Sequence, residues 1–272
     1  MAVNLAAKYS SVVDERFVTE SVTNIGFNTD FDWVGVQTVK VYSLQTAALG
    51  NYTRSGSSRY GTPAEIQDTV QEMTLSQDKA FTFTIDRGNE VDSMNVRGAG
   101  AALDRQIREV VVPYTDTYRL GVLAANAGGS DDTPATSANA YELFLAGQEF
   151  MGNNSVPAGG RVAFMTFAYY NLLKLDPSFT QSGDMGEISL VRGVMGGVDG
   201  VPLIPVPSSR LPADTQFILV HPMAATSPVK LSEFFIHENP PGISGNLVEG
   251  RLYFDAFVLN NKKNGIYVST SA

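Results

Sequence analysis

Cysteine is absent from all 272 residues, which excludes disulfides, thiolate nucleophiles and cysteine-ligated metals, whichever redox compartment the chain occupies. No run of about 18 or more apolar residues exists to span a bilayer, and residues 1–14 lack the basic segment and long apolar core of a signal peptide. Secretion and membrane insertion are not expected. Positive charge is scarce as well: 19 Lys and Arg stand against 28 Asp and Glu, a net charge of −9, and the bases are scattered apart from Lys262-Lys263. Sequence-specific nucleic-acid binding needs a basic face that displaces counterions from phosphates, and that footprint is missing.

What is present is enough apolar residue, 43% against 17% charged, to bury a sizeable core as one large domain or two small ones. Residues 1–35 carry Tyr9, Phe17, Phe27, Phe31 and Trp33 without a clear period, and read as an arm lying on something else. Residues 36–44 form a β-branched run, and residues 69–86 form a second in which Phe81, Phe83 and Ile85 alternate with threonines. Both are expected to be strands of one hairpin. Its loop, residues 49–67, is rich in Gly, Ser and Asn. A two-stranded hairpin is marginal alone in water, so this one is expected to dock on another surface.

The period then changes. Asp92 or Ser93 is placed to cap a helix in which Leu103, Ile107, Val110, Tyr114 and Tyr118 form an apolar stripe, with Asp104, Arg105, Arg108 and Asp116 off it. Continued to Ala125 it spans about 50 Å, with a bend expected after Val112 because Pro113 has no amide hydrogen. Residues 128–135 read as a linker and domain boundary. Asn139 and Glu142 form a capping pair for a helix, residues 161–166 a buried strand and 167–174 a short helix. A hairpin turning through Asp199-Gly200 follows, then a buried strand at 217–220 and strand-like stretches at 230–236, 247–259 and 266–269.

No constellation for catalysis emerges, and no cofactor or metal is expected. His221 and His237 have no convergent partners in the sequence, and Gly98-Ala99-Gly100 lacks the third glycine of a dinucleotide fingerprint.

Three groups of phrases carry a resemblance instead. They are Arg59-Tyr60-Gly61-Thr62-Pro63 with residues 68–73 and 79–86; Val198-Asp199-Gly200-Val201-Pro202 with Val206-Pro207-Ser208-Ser209; and Pro240-Pro241-Gly242 leading to residues 255–263. Together with the element order, they make the chain similar to tailed-bacteriophage major capsid proteins of the Hong Kong 97 type. The resemblance implies an α+β fold: an N-terminal arm (1–35), an extended β-hairpin loop (36–91), a spine helix of a peripheral domain (92–135), an α/β axial domain (136–224) and C-terminal strands of the peripheral domain (225–272). It implies hexamers and pentamers of this chain in an icosahedral head shell around double-stranded DNA, assembled in the host bacterial cytoplasm. Scaffolding, portal and cement proteins are the further partners it allows. An encapsulin-like compartment holding protein cargo shares fold and size and is the alternative, with an unrelated α/β enzyme behind it. Inter-subunit contacts are expected from Phe17, Phe27, Phe31 and Trp33 of the arm and from Tyr52, Arg54, Arg59 and Tyr60 of the hairpin tip, Tyr and Arg being types that concentrate interface energy.

Overall fold

Side chains that alternate along consecutive strands set the layers of this molecule. The computed structural model describes residues 21–31, 38–63, 65–88, 98–176 and 197–271; the expected helix caps Asp92 and Ser93 lie outside them. In chain order the strands are β1 (Thr38–Leu44), β2 (Asp68–Thr74), β3 (Gln77–Asp86), β4 (Gly129–Asp131), β5 (Val162–Thr166), β6 (Gly197–Val198), β7 (Val201–Val206), β8 (Thr215–Val220), β9 (Ala225–Thr226), β10 (Val229–Glu238), β11 (Gly245–Phe254), β12 (Phe257–Val258) and β13 (Ile266–Thr270). The α-helices are α1 (Ala99–Gln106), α2 (Val112–Ala125), α3 (Ala140–Asn153) and α4 (Phe167–Leu175).

The largest sheet runs β4-β13-β8-β5-β7-β6. Its odd and even positions feed two cores. Ala163, Met165, Phe217, Leu219 and Tyr267 meet Leu143, Phe144 and Met151 of α3 and Tyr169 and Leu173 of α4. Val162, Phe164, Ile218, Val220, Ile266 and Val268 meet Leu120 and Leu123 of α2 on the opposite face. A one-residue slip of any strand would exchange the two sets, so both cores enforce the register. The turn between β6 and β7 places Asp199 and Gly200 at φ 50° and 76°, the left-handed pair that a two-residue hairpin requires.

Several expectations need correction here. Residues 129–131 are not a linker but strand β4, parallel to β13 with Gly129 opposite Tyr267. A Cβ at Gly129 would lie 2.6 Å from the Phe150 ring, and one at Gly128 2.6 Å from the Lys263–Asn264 backbone. These glycines serve close approach, not looseness. Asn139 does not cap α3 through its side chain; its Oδ1 accepts instead from Thr136 N at 2.6 Å and Thr136 Oγ1 at 2.9 Å. The helix start is served from afar by buried Asp176, whose Oδ2 accepts from Tyr141 N at 3.0 Å. The C-terminal stretch is shared between sheets: β10 and β11 lie in one, and β13 lies in the six-stranded sheet beside β8.

The run at residues 69–86 is two strands, not one. β2 pairs with β1, while β3 pairs with β11 in a separate sheet ordered β10-β11-β3. Leu75 is buried at the break, and Asp255 Oδ2 accepts from Ser76 N at 2.7 Å, pinning the chain where it changes sheets. In the three-stranded sheet Gly250 lies opposite both Phe81 and Phe234, whose rings stack over it with centroids 6.0 Å apart. A Cβ there would come within 2.4 Å of the Phe81 ring. Gly250→Val is therefore expected to lower stability by about 1–3 kcal/mol through overpacking, read as a lower urea midpoint. An unchanged midpoint would show that the two rings move aside freely.

The interruption expected at Pro113 takes the form of a π-helical segment, Ile107–Val111, joining α1 to α2. Val112 N–H donates to Ile107 O, five residues back, and the wider turn accommodates a proline that cannot donate. One extra residue in the turn rotates everything after it by about 100°. The apolar stripe therefore fails as a guide to burial beyond the interruption. Val110 and Tyr114 are exposed, whereas Asp116, expected off the stripe, is fully buried with Arg119, Leu120 and Leu123.

Candidate assembly interface

The ribbon of β1 and β2 has two faces of opposite character. Val39, Val41 and Met73 point inward and pack with Leu75, Leu259 and Phe31. Gln71 ties the base to the body: its Nε2 donates to Val258 O at 2.9 Å and its Oε1 accepts from Asn260 N at 2.8 Å. Ser43 and Asn261 are hydrogen-bonded beside it. The outward face begins with Lys40 paired to Glu72 at 2.6 Å, and that hydrogen bond raises the Lys40 pKa. Both groups are well exposed, so the pair adds little stability. Beyond it Tyr42 is 65% and Leu44 75% exposed, opposite Val70 and Asp68. Leu49 and Ile66, farther along the loop, are exposed as well.

At the tip the chain folds on itself. Thr53 N–H donates to Arg59 O at 3.0 Å, Arg59 Nε donates to Gly56 O at 3.2 Å, and Gly56 and Gly61 hold φ of 92° and 85°. Tyr52 and Tyr60 meet edge to face with centroids 5.0 Å apart, yet Tyr60 remains 91% exposed. The four tip residues expected as contacts, Tyr52, Arg54, Arg59 and Tyr60, thus lie together on one projecting element. No carboxylate is within ion-pair distance of Arg54 or Arg59 among the described residues.

The arm residues behave differently. Phe27 is covered by its own chain, in the core with Leu120 and Ile218, and Phe31 packs beside Met73 and Leu259. Phe17 and Trp33 lie outside the described residues.

Between arm and helix lies a buried polar cluster that the sequence pattern did not reveal. Asp116 Oδ2 accepts from Arg210 Nη1 at 2.8 Å, and its Oδ1 accepts from Ser21 Oγ at 2.8 Å and Thr23 Oγ1 at 2.7 Å. Arg119 Nε donates to Ser227 Oγ at 2.8 Å and its Nη1 to Asn24 Oδ1 at 2.6 Å. Burial pulls the Arg119 guanidinium below its ordinary pKa, with the Asp116 charge opposing. Tyr118 donates to Asp255 Oδ1 at 2.6 Å, and burial first, then that bond, pushes the phenol up. One signal was available: Asp116, Arg119, Leu120 and Leu123 sit at the spacing of a single helix face. The histidines are structural in setting, His221 bonding the backbone at Met223 N and Gly159 O, and His237 lying exposed 3.4 Å from Glu249. No group of three or more His, Asp or Glu is placed to hold a metal among the described residues.

Comparison with solved structures gives this arrangement a context. A structure from Mycobacterium phage Che8 superposes with a TM-score of 0.79 at 17% identity, covering 98% of this chain and 97% of that one. The capsid of Cyanophage P-SCSP1u matches with a TM-score of 0.76 at 12% identity, covering 99% and 93%. The capsid of Myoviridae phage XM1 matches with a TM-score of 0.67 at 12% identity, covering 100% and 99%. The chain has the phage capsid fold. Identities this low leave the fold as what is shared, and the capsid fold extends over the whole chain and not over one domain of it. No family model matches the sequence, and no curated protein does.

Proposed function

We propose that this chain is a major capsid protein of a tailed bacteriophage, a structural subunit that self-assembles into the head shell enclosing double-stranded DNA. The observation that carries the reading is the whole-chain likeness to phage capsid structures, with nearly all of both chains superposed. The ribbon supports it: an exposed apolar strip of this size at the end of a projecting hairpin is a surface that association covers. In this reading residues 1–35 are the arm, 36–91 the extended loop, 92–135 and the β10–β11 stretch the peripheral region, and 136–224 together with β13 the axial region. Hexamers and pentamers of the chain close the shell, with scaffolding, portal and cement proteins as partners in the host cytoplasm and the virion as destination. The acidic surface fits a wall that encloses DNA without reading its sequence.

Electron microscopy of the purified protein tests this directly. Closed shells or capsomer sheets are expected, and a protein that stays monomeric across the concentration range, alone and with the phage's other head proteins, would sink the proposal. Nucleic acid inside shells from infected cells, in place of an enzyme cargo, separates this reading from an encapsulin-like compartment.

A further inference from the structure

Strand β10 is an outer strand: its sheet runs β10-β11-β3, and among the described residues β10 pairs with β11 alone. Two bonds fix which of its backbone groups point where. Asn239 N–H donates to Gly245 O at 2.7 Å, and on the far side of β11 Arg87 N–H donates to Ser244 O at 2.9 Å. Antiparallel strands alternate hydrogen-bonded and non-hydrogen-bonded pairs, so Glu233, Phe235 and His237 turn their amides and carbonyls to β11. Ser232, Phe234, Ile236 and Glu238 turn theirs to the open edge. Phe235 is 52% and Ile236 41% exposed, and Ser232, Glu233, His237 and Glu238 are exposed beside them. A long edge of this kind is a template for another strand. We propose that β10 pairs antiparallel with β10 of a second copy of this chain, about a two-fold axis at Phe235.

The strand is complementary to its own reverse. With the axis at Phe235, Ser232 lies opposite Glu238 of the copy, Glu233 opposite His237, Phe234 opposite Ile236, and Phe235 opposite itself. Each pair is compatible: hydroxyl with carboxylate, carboxylate with imidazole, apolar with apolar. Other registers break this matching. An axis between two residues is excluded, because it sets an outward-bonding residue against an inward-bonding one. Centred on Phe234, Glu233 meets Phe235 and Leu231 meets His237; centred on Ile236, Glu238 meets Phe234. Centred on Glu233, two carboxylates meet head on, which destabilises a cross-strand pair. The bulge between Val229 and Leu231 ends the regular edge just before this stretch, so pairing is confined to it. A two-fold contact of this sort closes at two copies and does not propagate.

The pairing goes beyond the capsid reading and requires no shell. Because the chain has no cysteine, a single introduced thiol reports on one position. Directly opposed residues of a non-hydrogen-bonded pair lie about 4.5 Å apart at Cα, within reach of a disulfide. Phe235→Cys is therefore expected to give a covalent dimer on mild oxidation of the purified chain. Phe234→Cys and Ile236→Cys are each expected to stay unlinked alone and to link when mixed, since each faces the other's position across the axis. Phe235→Glu sets two carboxylates face to face and is expected to raise the dimer dissociation constant about tenfold or more in sedimentation equilibrium. Phe235→Cys that stays unlinked, Phe234→Cys that links to itself as fast, or a Phe235→Glu dimer as tight as the unsubstituted one would each overturn the pairing. Shells that close normally while Phe235→Cys stays unlinked overturn the pairing and leave the capsid reading in place. Linked Phe235→Cys dimers from a chain that never forms shells do the reverse.

Discussion

Asp116→Ala is expected to lower the unfolding free energy by about 3–5 kcal/mol, the usual cost of removing one partner from a buried ion pair. Asp116 is fully buried and its Oδ2 is 2.8 Å from Arg210 Nη1, whose side chain is only 5% exposed. The substitution also strips Ser21 and Thr23 of the acceptor that fastens residues 21–26 to the long helix. Urea denaturation measures the first effect, and faster amide exchange over residues 21–28 reads the second. The double variant Asp116→Leu with Arg210→Met is expected to cost less than the two single changes summed, because neither member of the pair is left buried without the other. A loss below about 1 kcal/mol in Asp116→Ala would mean that water reaches the site and replaces the carboxylate.

Arg54→Ala combined with Arg59→Ala is expected to give subunits of unchanged fold and thermal midpoint that fail to close shells, or close shells that open at lower temperature. Both residues sit on the projecting tip, and no carboxylate pairs with either among the described residues, so their loss removes little from the isolated chain. In an assembled shell of a chain with net charge −9, acidic groups of a neighbour are the available partners. Truncating one member of such a desolvated pair costs about 2–5 kcal/mol, repeated at every copy of a closed symmetric shell. Shells of normal yield and thermal stability from the double variant would make these arginines solvated decoration. Arg59 Nε bonds Gly56 O within the tip, so Arg54→Ala alone separates loss of tip shape from loss of charge.

Local signals located most elements and misjudged their surroundings. The apolar runs at 161–166 and 217–220 gave buried strands, and Asp199-Gly200 gave its hairpin turn. Asp116 was misplaced because helical phase was carried through a segment where Pro113 inserts a π turn, a change that no spacing rule announces. Gly128-Gly129 resembled a linker because chain flexibility and a demand for close approach use the same residue. Only the Phe150 ring and the Lys263 backbone distinguish the two. Phe27 and Phe31 of the arm, expected to be buried against the body or a neighbouring subunit, pack against the body of their own chain.

The sequence by itself determined the period of most strands and helices, the absence of thiol chemistry and the net negative charge, because these depend on residue type and near neighbours. Tertiary structure alone decided that β2 and β3 part into different sheets, since the break depends on Asp255 holding Ser76 from 179 residues away. It decided likewise that β13 returns to the six-stranded sheet, and that Asp116, Arg119 and Arg210 share one buried site. Each of these rests on contacts between segments far apart in the chain. Pairing energy of that kind exists only once the loops between the segments have closed.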